Sequence, residues 1–367
     1  MKKVLIVSLR VGAGHVKAAE ALEREIVRAH PGVEVKNIDF LDYASFLSNK
    51  FYGKLAVDVI GKLPELYAWL YKNADMSSSN EARLIFDRMN AQELKKQMVE
   101  FNPDLIVCTH FIPASLFVHW RSKYKYDYKI AVTVTDYEAH KLWADRGVDR
   151  YFVATPDVKK SLVGYGIQTS RIFCTGIPID VKFSKRYNRA LLCRKYHIAK
   201  TFTVGIFSGG FGMGPVKEIW SALEAIPGQF QIIVVAGNNH ALKKEMTELA
   251  QKSRKKVVVL GFTDTIEEIM AVVDLIISKP GGLTTAETLA MGVPLLISNP
   301  LPGQEEANAR YIMKHKAAYR SDDPLGVSEI TRIILENTLV LRKLRLATRR
   351  IAKPYATAHI VRSLQSL

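Results

Sequence analysis

One pattern constrains this chain more than any other. A short apolar run leads into a turn, and the turn leads into a stretch of helical spacing, over and over. Residues 4–7, 33–40, 105–108, 130–134 and 151–153 form a first series of such runs. Residues 202–207, 231–236, 257–260, 275–277 and 294–297 form a second. Between the first two runs, Ala18, Ala21, Leu22, Ile26 and Ala29 recur at helical spacing, and Pro31-Gly32 ends the pattern. Short, fully apolar strands between helices predict parallel sheets covered on both faces. Two series in 367 residues predict two doubly wound α/β domains, joined near residues 181–200.

Several classes are excluded. No run of apolar residues is long enough to span a bilayer, and the apolar start at residues 4–8 is too short for a signal peptide. The three cysteines, Cys108, Cys174 and Cys193, are far apart and form no CxxC pair. They point to a reducing compartment and away from a disulfide frame or a cysteine zinc site.

The net charge of +16 points to an anionic partner. The excess is uneven: residues 1–180 carry 25 Lys/Arg against 21 Asp/Glu. Two stretches have no acid at all. Residues 181–200 hold Lys182, Lys185, Arg186, Arg189, Arg194, Lys195 and Lys200, and residues 341–367 hold Arg342, Lys343, Arg345, Arg349, Arg350, Lys353 and Arg362. Each reads either as a solvated linker or tail, or as a contact for anionic lipid. Nucleic acid is not the expected partner, because no zinc finger, RNP-like motif or aromatic-interleaved basic stripe occurs. Residues 43–75 crowd aromatic and aliphatic side chains with Lys50, Lys54, Lys62 and Lys72. They read either as helices packed on the first domain or as a segment lying in a membrane interface.

Three glycine turns carry the chemistry. Gly12-Ala13-Gly14-His15 follows the first run and opens a helix, where free N–H groups meet ligands. The sixth position of a dinucleotide fingerprint is Lys17, which disfavours a nicotinamide cofactor. His15 reads either as a proton acceptor or as a capping histidine. Ser208-Gly209-Gly210 and the glycines after them form a backbone cradle for anions, without the Lys-Ser/Thr of a Walker loop. Pro280-Gly281-Gly282-Leu283-Thr284-Thr285-Ala286-Glu287 joins a buried strand to a helix. Gly281 and Gly282 offer N–H groups to a phosphate, and Thr284 and Thr285 offer hydroxyls. Glu287 reads either as a ribose-binding carboxylate or as a dipole-compensating acid. Gln304, Glu305 and Asn308 follow the next strand, on the same sheet edge, and suit sugar hydroxyls.

Residues 3–15, the run Val134-Thr135-Asp136-Tyr137 through His140 and Trp143, and residues 148–155 together resemble a known family. So do Gly176-Ile177-Pro178-Ile179, Lys279-Pro280-Gly281-Gly282 and Pro302-Gly303-Gln304-Glu305. The family comprises the bacterial diacylglycerol glucosyltransferases and plant monogalactosyldiacylglycerol synthases of glycosyltransferase family 28. The likeness runs over nearly the whole chain, although Arg10, Val11 and Ala13 stand where relatives often have a fuller glycine run. It implies a GT-B fold, two Rossmann-like domains facing a central cleft. The boundaries expected are 1–180 for an acceptor and membrane-binding domain, 181–200 for a basic linker, 201–345 for a UDP-sugar domain, and 346–367 for a C-terminal helix returning to the first domain.

The resemblance also implies roles. Gly209, Gly210, Gly281, Gly282 and Thr284 hold the donor diphosphate, Glu287 the ribose, the backbone of Phe262 and Thr263 the uracil, and Gln304 and Glu305 the sugar. Gly14 and His15 face the acceptor, and His140 and Trp143 lie on a lipid-side loop. The expected reaction is inverting transfer of glucose, or else galactose, from a UDP-sugar to the sn-3 hydroxyl of diacylglycerol. His15 is the first-choice base and Asp136 the second. No Asp-x-Asp motif occurs, so no metal and no cofactor are expected. The expected place is the cytoplasmic face of the membrane, as a peripheral protein. Three alternatives stay open at this level: an N-acetylglucosamine transferase acting on a lipid-linked peptidoglycan precursor, a soluble UDP-N-acetylglucosamine 2-epimerase, and a non-catalytic UDP-sugar sensor.

Overall fold

Side-chain alternation along the strands decides how the layers stack. In β1 (Lys3–Ser8), Leu5 and Val7 point into one apolar core while Val4 and Ile6 point into another. A strand buried on both faces carries no polar alternation, which is why its run reads as continuous. A computed structural model of the chain describes residues 1–10, 12–43, 91–210 and 212–367. The aromatic-rich segment 43–75 lies, except for Tyr43, outside the described residues.

The first sheet adds β2 (Glu34–Asp39), β3 (Leu105–Cys108), β4 (Lys129–Thr133), β5 (Arg150–Phe152) and β6 (Ile172–Phe173). All its pairings are parallel, in the order β2-β1-β3-β4-β5-β6. One face is covered by α2 (Gln92–Phe101), α3 (Phe111–Tyr124) and α4 (Pro156–Gly164). The other is covered by α1 (Ala13–Ala29) through Ala19, Leu22 and Ile26.

The second sheet is built alike from β7 (Thr203–Phe207), β8 (Gln231–Val235), β9 (Lys256–Leu260), β10 (Leu275–Ser278), β11 (Leu295–Ile297) and β12 (Ala318–Arg320). It is parallel throughout, in the order β12-β11-β10-β7-β8-β9. Its helices are α5 (Arg189–Lys195), α6 (Val216–Glu224), α7 (His240–Ala250), α8 (Ile266–Val272), α9 (Gly282–Met291), α10 (Gln304–Lys314), α11 (Pro324–Glu336) and α12 (Thr338–Ile351). Val204, Ile206, Ile232, Val234 and Ile277 meet Ile219, Leu223, Met246 and Val327 in its core.

The chain divides into two units. The first holds Met1–Val181, Pro302–Gln304 and Tyr355–Leu367, and the second holds Lys182–Leu301 and Glu305–Pro354. Two boundaries differ from the sequence reading. Residues 182–200 are not a free linker but part of the second unit, as a short 3-10 turn followed by α5. Three of their seven cations pair with acids there: Lys182 with Glu267, Arg189 with Asp274 and Lys195 with Glu268. The C-terminal turnover point is also later than expected. α12 runs to Ile351 inside the second unit, and α13 (Ala356–Leu364) packs on the first. Ile360, Val361 and Leu364 join the α1 core, Arg150 donates to the Ser363 carbonyl, and Thr357 Oγ1 donates to the Ile179 carbonyl at 2.5 Å.

Strand order fixes where sites can form. In each sheet the order reverses between two neighbouring strands whose following loops diverge, leaving a crevice at their carboxyl ends. That switch point lies between β1 and β3 in the first unit and between β7 and β10 in the second.

Candidate active site

At the first switch point the chain leaves β1 and enters α1 through Gly12. Its φ of 95° and ψ of 157° suit only glycine. This entry sets Gly14 and His15 in the first turn of α1. His15 Nδ1 lies 2.8 Å from the Thr109 carbonyl oxygen and 3.0 Å from Thr135 Oγ1. A carbonyl only accepts, so Nδ1 carries the proton and Nε2 keeps its lone pair. The Thr109 hydroxyl donates in return to the His15 carbonyl at 3.0 Å. The loops after β1, β3 and β4 are therefore tied together through one imidazole. Burial pushes the His15 pKa down to about 4, against the opposing pull of the Thr109 carbonyl. The ring is neutral at pH 7. Asp136, next to Thr135, is buried at the same sheet edge.

An aromatic cluster extends from this histidine. The His110 ring meets His15 edge-on at 4.8 Å and stacks on Phe111 at 4.2 Å. Trp143 lies 5.9 Å from His110 and 5.4 Å from Phe111, and His140 meets Phe111 at 5.0 Å. His140 and Trp143, placed on a loop by sequence, are thus linked to His15 through the rings of His110 and Phe111. Thr109, His110 and Phe111 had a signal: they directly follow β3, the strand that flanks β1 at the switch point.

The second switch point holds the other glycine turns. Asn238 donates its backbone N–H to the Gly210 carbonyl at 3.1 Å, and Asn239 Nδ2 donates to the Gly212 carbonyl at 3.0 Å. Gly237 precedes them at φ +58°, and a Cβ there would lie 2.3 Å from the Gly209 carbonyl oxygen. The turn after β8 therefore buttresses the Gly209–Gly210 cradle backbone to backbone. Residues 237–239 escaped the sequence reading, although Asn239 is an evident cap, accepting from Leu242 N at 2.9 Å.

Across the switch point, Gly281 caps α9 and no acid occupies that helix's first turn. Its N–H groups face no built-in counter-charge from their own turn. A side chain at Gly281 would come within 3.8 Å of Glu305 Oε1 and 4.0 Å of Thr284 Oγ1. Glu305 is held by the Leu301 N–H at 2.7 Å, and the buried Asn308 donates to the Pro280 carbonyl at 3.0 Å. The start of α9 and the start of α10, which Gln304 opens, thus form one polar cluster. Thr284 belongs to it. Thr285 lies deeper, 1% exposed, with its hydroxyl buried and without a partner among the described residues. Glu287 lies one turn further along α9, partly exposed. Phe262 stands exposed just beyond β9, and Thr263 Oγ1 fastens the turn by accepting from Thr265 N at 3.2 Å.

A family model described as monogalactosyldiacylglycerol synthase matches residues 15–179, and one described as glycosyltransferase family 28 C-terminal domain matches residues 188–346. The processive diacylglycerol beta-glucosyltransferase of Bacillus mycoides is 31% identical over 370 residues, covering 98% of this chain and 92% of the relative. That of Bacillus cytotoxicus is likewise 31% identical, with the same coverage. The chain belongs to the diacylglycerol glucosyltransferase and monogalactosyldiacylglycerol synthase family. Among solved structures, Acinetobacter baumannii MurG matches with a TM-score of 0.63 at 15% identity, over all of both chains. Anabaena HepE in complex with UDP-glucose matches at 0.57 and 14%, and Neisseria meningitidis UDP-GlcNAc 2-epimerase at 0.64 and 13%, again over all of both chains. At such identities the likeness is one of fold, and that fold is GT-B. Both polar clusters described above lie within the spans that the two family models match, the first from His15 onward.

Proposed function

We propose that this family member is an inverting transferase that moves glucose from UDP-glucose to the sn-3 hydroxyl of diacylglycerol, working as a peripheral protein on the membrane that holds its acceptor. The glucosyl specificity named in its relatives favours glucose over galactose. Among the described residues no helix is long and apolar enough to cross a membrane.

The observation that carries the chemistry is the tautomer of His15. With Nδ1–H committed to the Thr109 carbonyl, Nε2 is the free basic nitrogen. The acceptor hydroxyl gives its proton to Nε2 as its oxygen attacks the anomeric carbon. The bond to the UDP oxygen breaks on the opposite face, so the anomeric configuration inverts. The imidazolium is held by the same carbonyl that fixed the tautomer. A pKa of about 4 makes His15 a weak base in the free protein. Asp136 is the second candidate for this role.

The leaving diphosphate develops charge beside the N–H groups of Gly281 and Gly282, at the positive end of α9, with Thr284 and the Gly209–Gly210 cradle adding donors. Glu287 holds the ribose, the backbone at Phe262 and Thr263 meets uracil, and Gln304 and Glu305 accept from the sugar hydroxyls. Gly14, His140 and Trp143 line the acceptor side. Removal of the Glu305 carboxylate, Glu305→Ala, is expected to raise the KM for the UDP-sugar about tenfold or more while leaving UDP affinity within a few-fold.

The test is product analysis. Purified protein is incubated with radiolabelled UDP-glucose or UDP-galactose, with and without diacylglycerol vesicles. The proposal predicts a labelled lipid that needs both diacylglycerol and UDP-glucose. UDP release without a lipid product, or no turnover with either donor, would overturn it.

A further inference from the structure

The two acid-free basic stretches differ in how their cations are arranged. In the first, Lys182, Arg189 and Lys195 pair with acids of the second unit, while Lys185, Arg186, Arg194 and Lys200 are exposed without an ion pair among the described residues and share no single helix face. In the second, among the described residues only Arg345 pairs with an acid, Asp274, at 2.6 Å. Arg342, Lys343, Arg349, Arg350 and Lys353 make no ion pair among the described residues, and all five are exposed. Between residues 337 and 367 the sequence has no Asp or Glu.

Their arrangement is specific. α12 buries Leu344 and Thr348 against the second core. Its opposite face carries residues 339, 342, 343, 346, 349 and 350, which recur at helical spacing and form one stripe. Two members of that stripe are leucines, Leu339 at 63% and Leu346 at 59% exposure. A shallow depression of about 540 Å³ beside it has Leu341 and Leu346 in its lining and Arg342, Arg345 and Arg349 around them. Just past the helix, Tyr355 is also 58% exposed.

We propose that this outer face of α12 is a docking surface for an anionic bilayer. Exposed leucines set among guanidinium and ammonium groups match a lipid interface on both counts. The cations meet phosphate headgroups and the leucines reach the acyl boundary. A nucleic acid or an acidic protein segment would use the cations but leave Leu339 and Leu346 in water. No aromatic ring lies on this stripe to stack a base. The inference extends the proposed function by naming a lipid-facing surface on the second unit. It stands apart from that reading, because its assay contains no diacylglycerol and no UDP-sugar.

The experiment is flotation of the full chain with vesicles of phosphatidylcholine alone or mixed with phosphatidylglycerol. The wild-type protein is expected to float with the mixed vesicles and to be released by salt. Lys343→Gln/Arg350→Gln is expected to lower partitioning roughly 30-fold, from about 1 kcal/mol per basic group. Leu339→Ser/Leu346→Ser is expected to lower it about tenfold while leaving heparin binding unchanged. All four positions are exposed, so melting temperatures should stay near wild type, and turnover of diacylglycerol in detergent micelles should be unaffected. If both variants float like wild type, the surface is not a docking site. If the charge variant alone fails and loses heparin binding in parallel, the face is a polyanion site and the bilayer assignment falls. A chain silent in micelles that still floats through α12 would overturn the proposed reaction and leave the docking surface standing.

Discussion

His15 concentrates the chemistry at the residue scale. Its Nδ1 bond to Thr109 fixes the tautomer, and burial keeps the ring neutral. His15→Ala is expected to cut kcat by about 10²–10⁴. It should cost only about 1 kcal/mol of stability for the lost hydrogen bond. UDP affinity should hold, since the donor cluster lies on other strands. A variant with near wild-type turnover would move the base to Asp136. Burial also predicts a pH signature. The unfolded imidazole titrates near 6.5 and the folded one near 4, so the unfolded chain binds the extra proton in between. Stability is full above about pH 6.5 and is lost as pH falls toward 4, by on the order of 1–3 kcal/mol from this group. Urea midpoints of wild type and His15→Ala, compared at pH 7 and pH 5, measure it; the variant should show the smaller drop.

Elements were legible in the sequence to the degree that burial wrote itself into composition. β1, β3, β7, β8 and β10 are buried on both faces and read as unbroken apolar runs. β6 and β12 went unread. They have two and three residues, and each exposes an aromatic, Phe173 or Tyr319, so neither leaves an apolar run. The glycine turns were legible because backbone geometry demands the residue. Their supports at Thr109, Thr135 and Gly237–Asn239 were not, because they come from distant chain positions that only strand order brings together. The pairing of Lys182, Arg189 and Lys195 was hidden for the same reason: the acids that meet them, Glu267, Asp274 and Glu268, are remote in sequence. Asp274 shows what that pairing does. It accepts from both Arg189 and Arg345 and from Thr203 N, tying α5 and α12 to the start of β10. Asp274→Ala is expected to cost about 2 kcal/mol, below the usual figure for a broken buried pair because both arginines stay partly exposed. A denaturation midpoint unchanged from wild type would mean that this clamp adds nothing.

At the scale of the whole molecule the chain makes the same sheet twice. It passes into the second unit at Lys182, touches the first again at Pro302–Gln304, and returns to it for good at Tyr355. Each sheet reverses its order once, and each reversal gathers one set of reactive groups: a neutral imidazole in the first unit, helix N-terminal N–H groups in the second. That division follows from topology and matches a reaction with two chemically unlike substrates, a charged nucleotide sugar and an apolar alcohol. The most direct measurement is the anomeric configuration of the lipid made from UDP-glucose and diacylglycerol, read from the H1–H2 coupling in its proton spectrum. A large, axial–axial coupling, the β-glucoside formed by a single displacement from the α-linked donor, is the result expected. A small coupling, the α-glucoside of a retaining route, would contradict the role assigned to His15 and the account built on it.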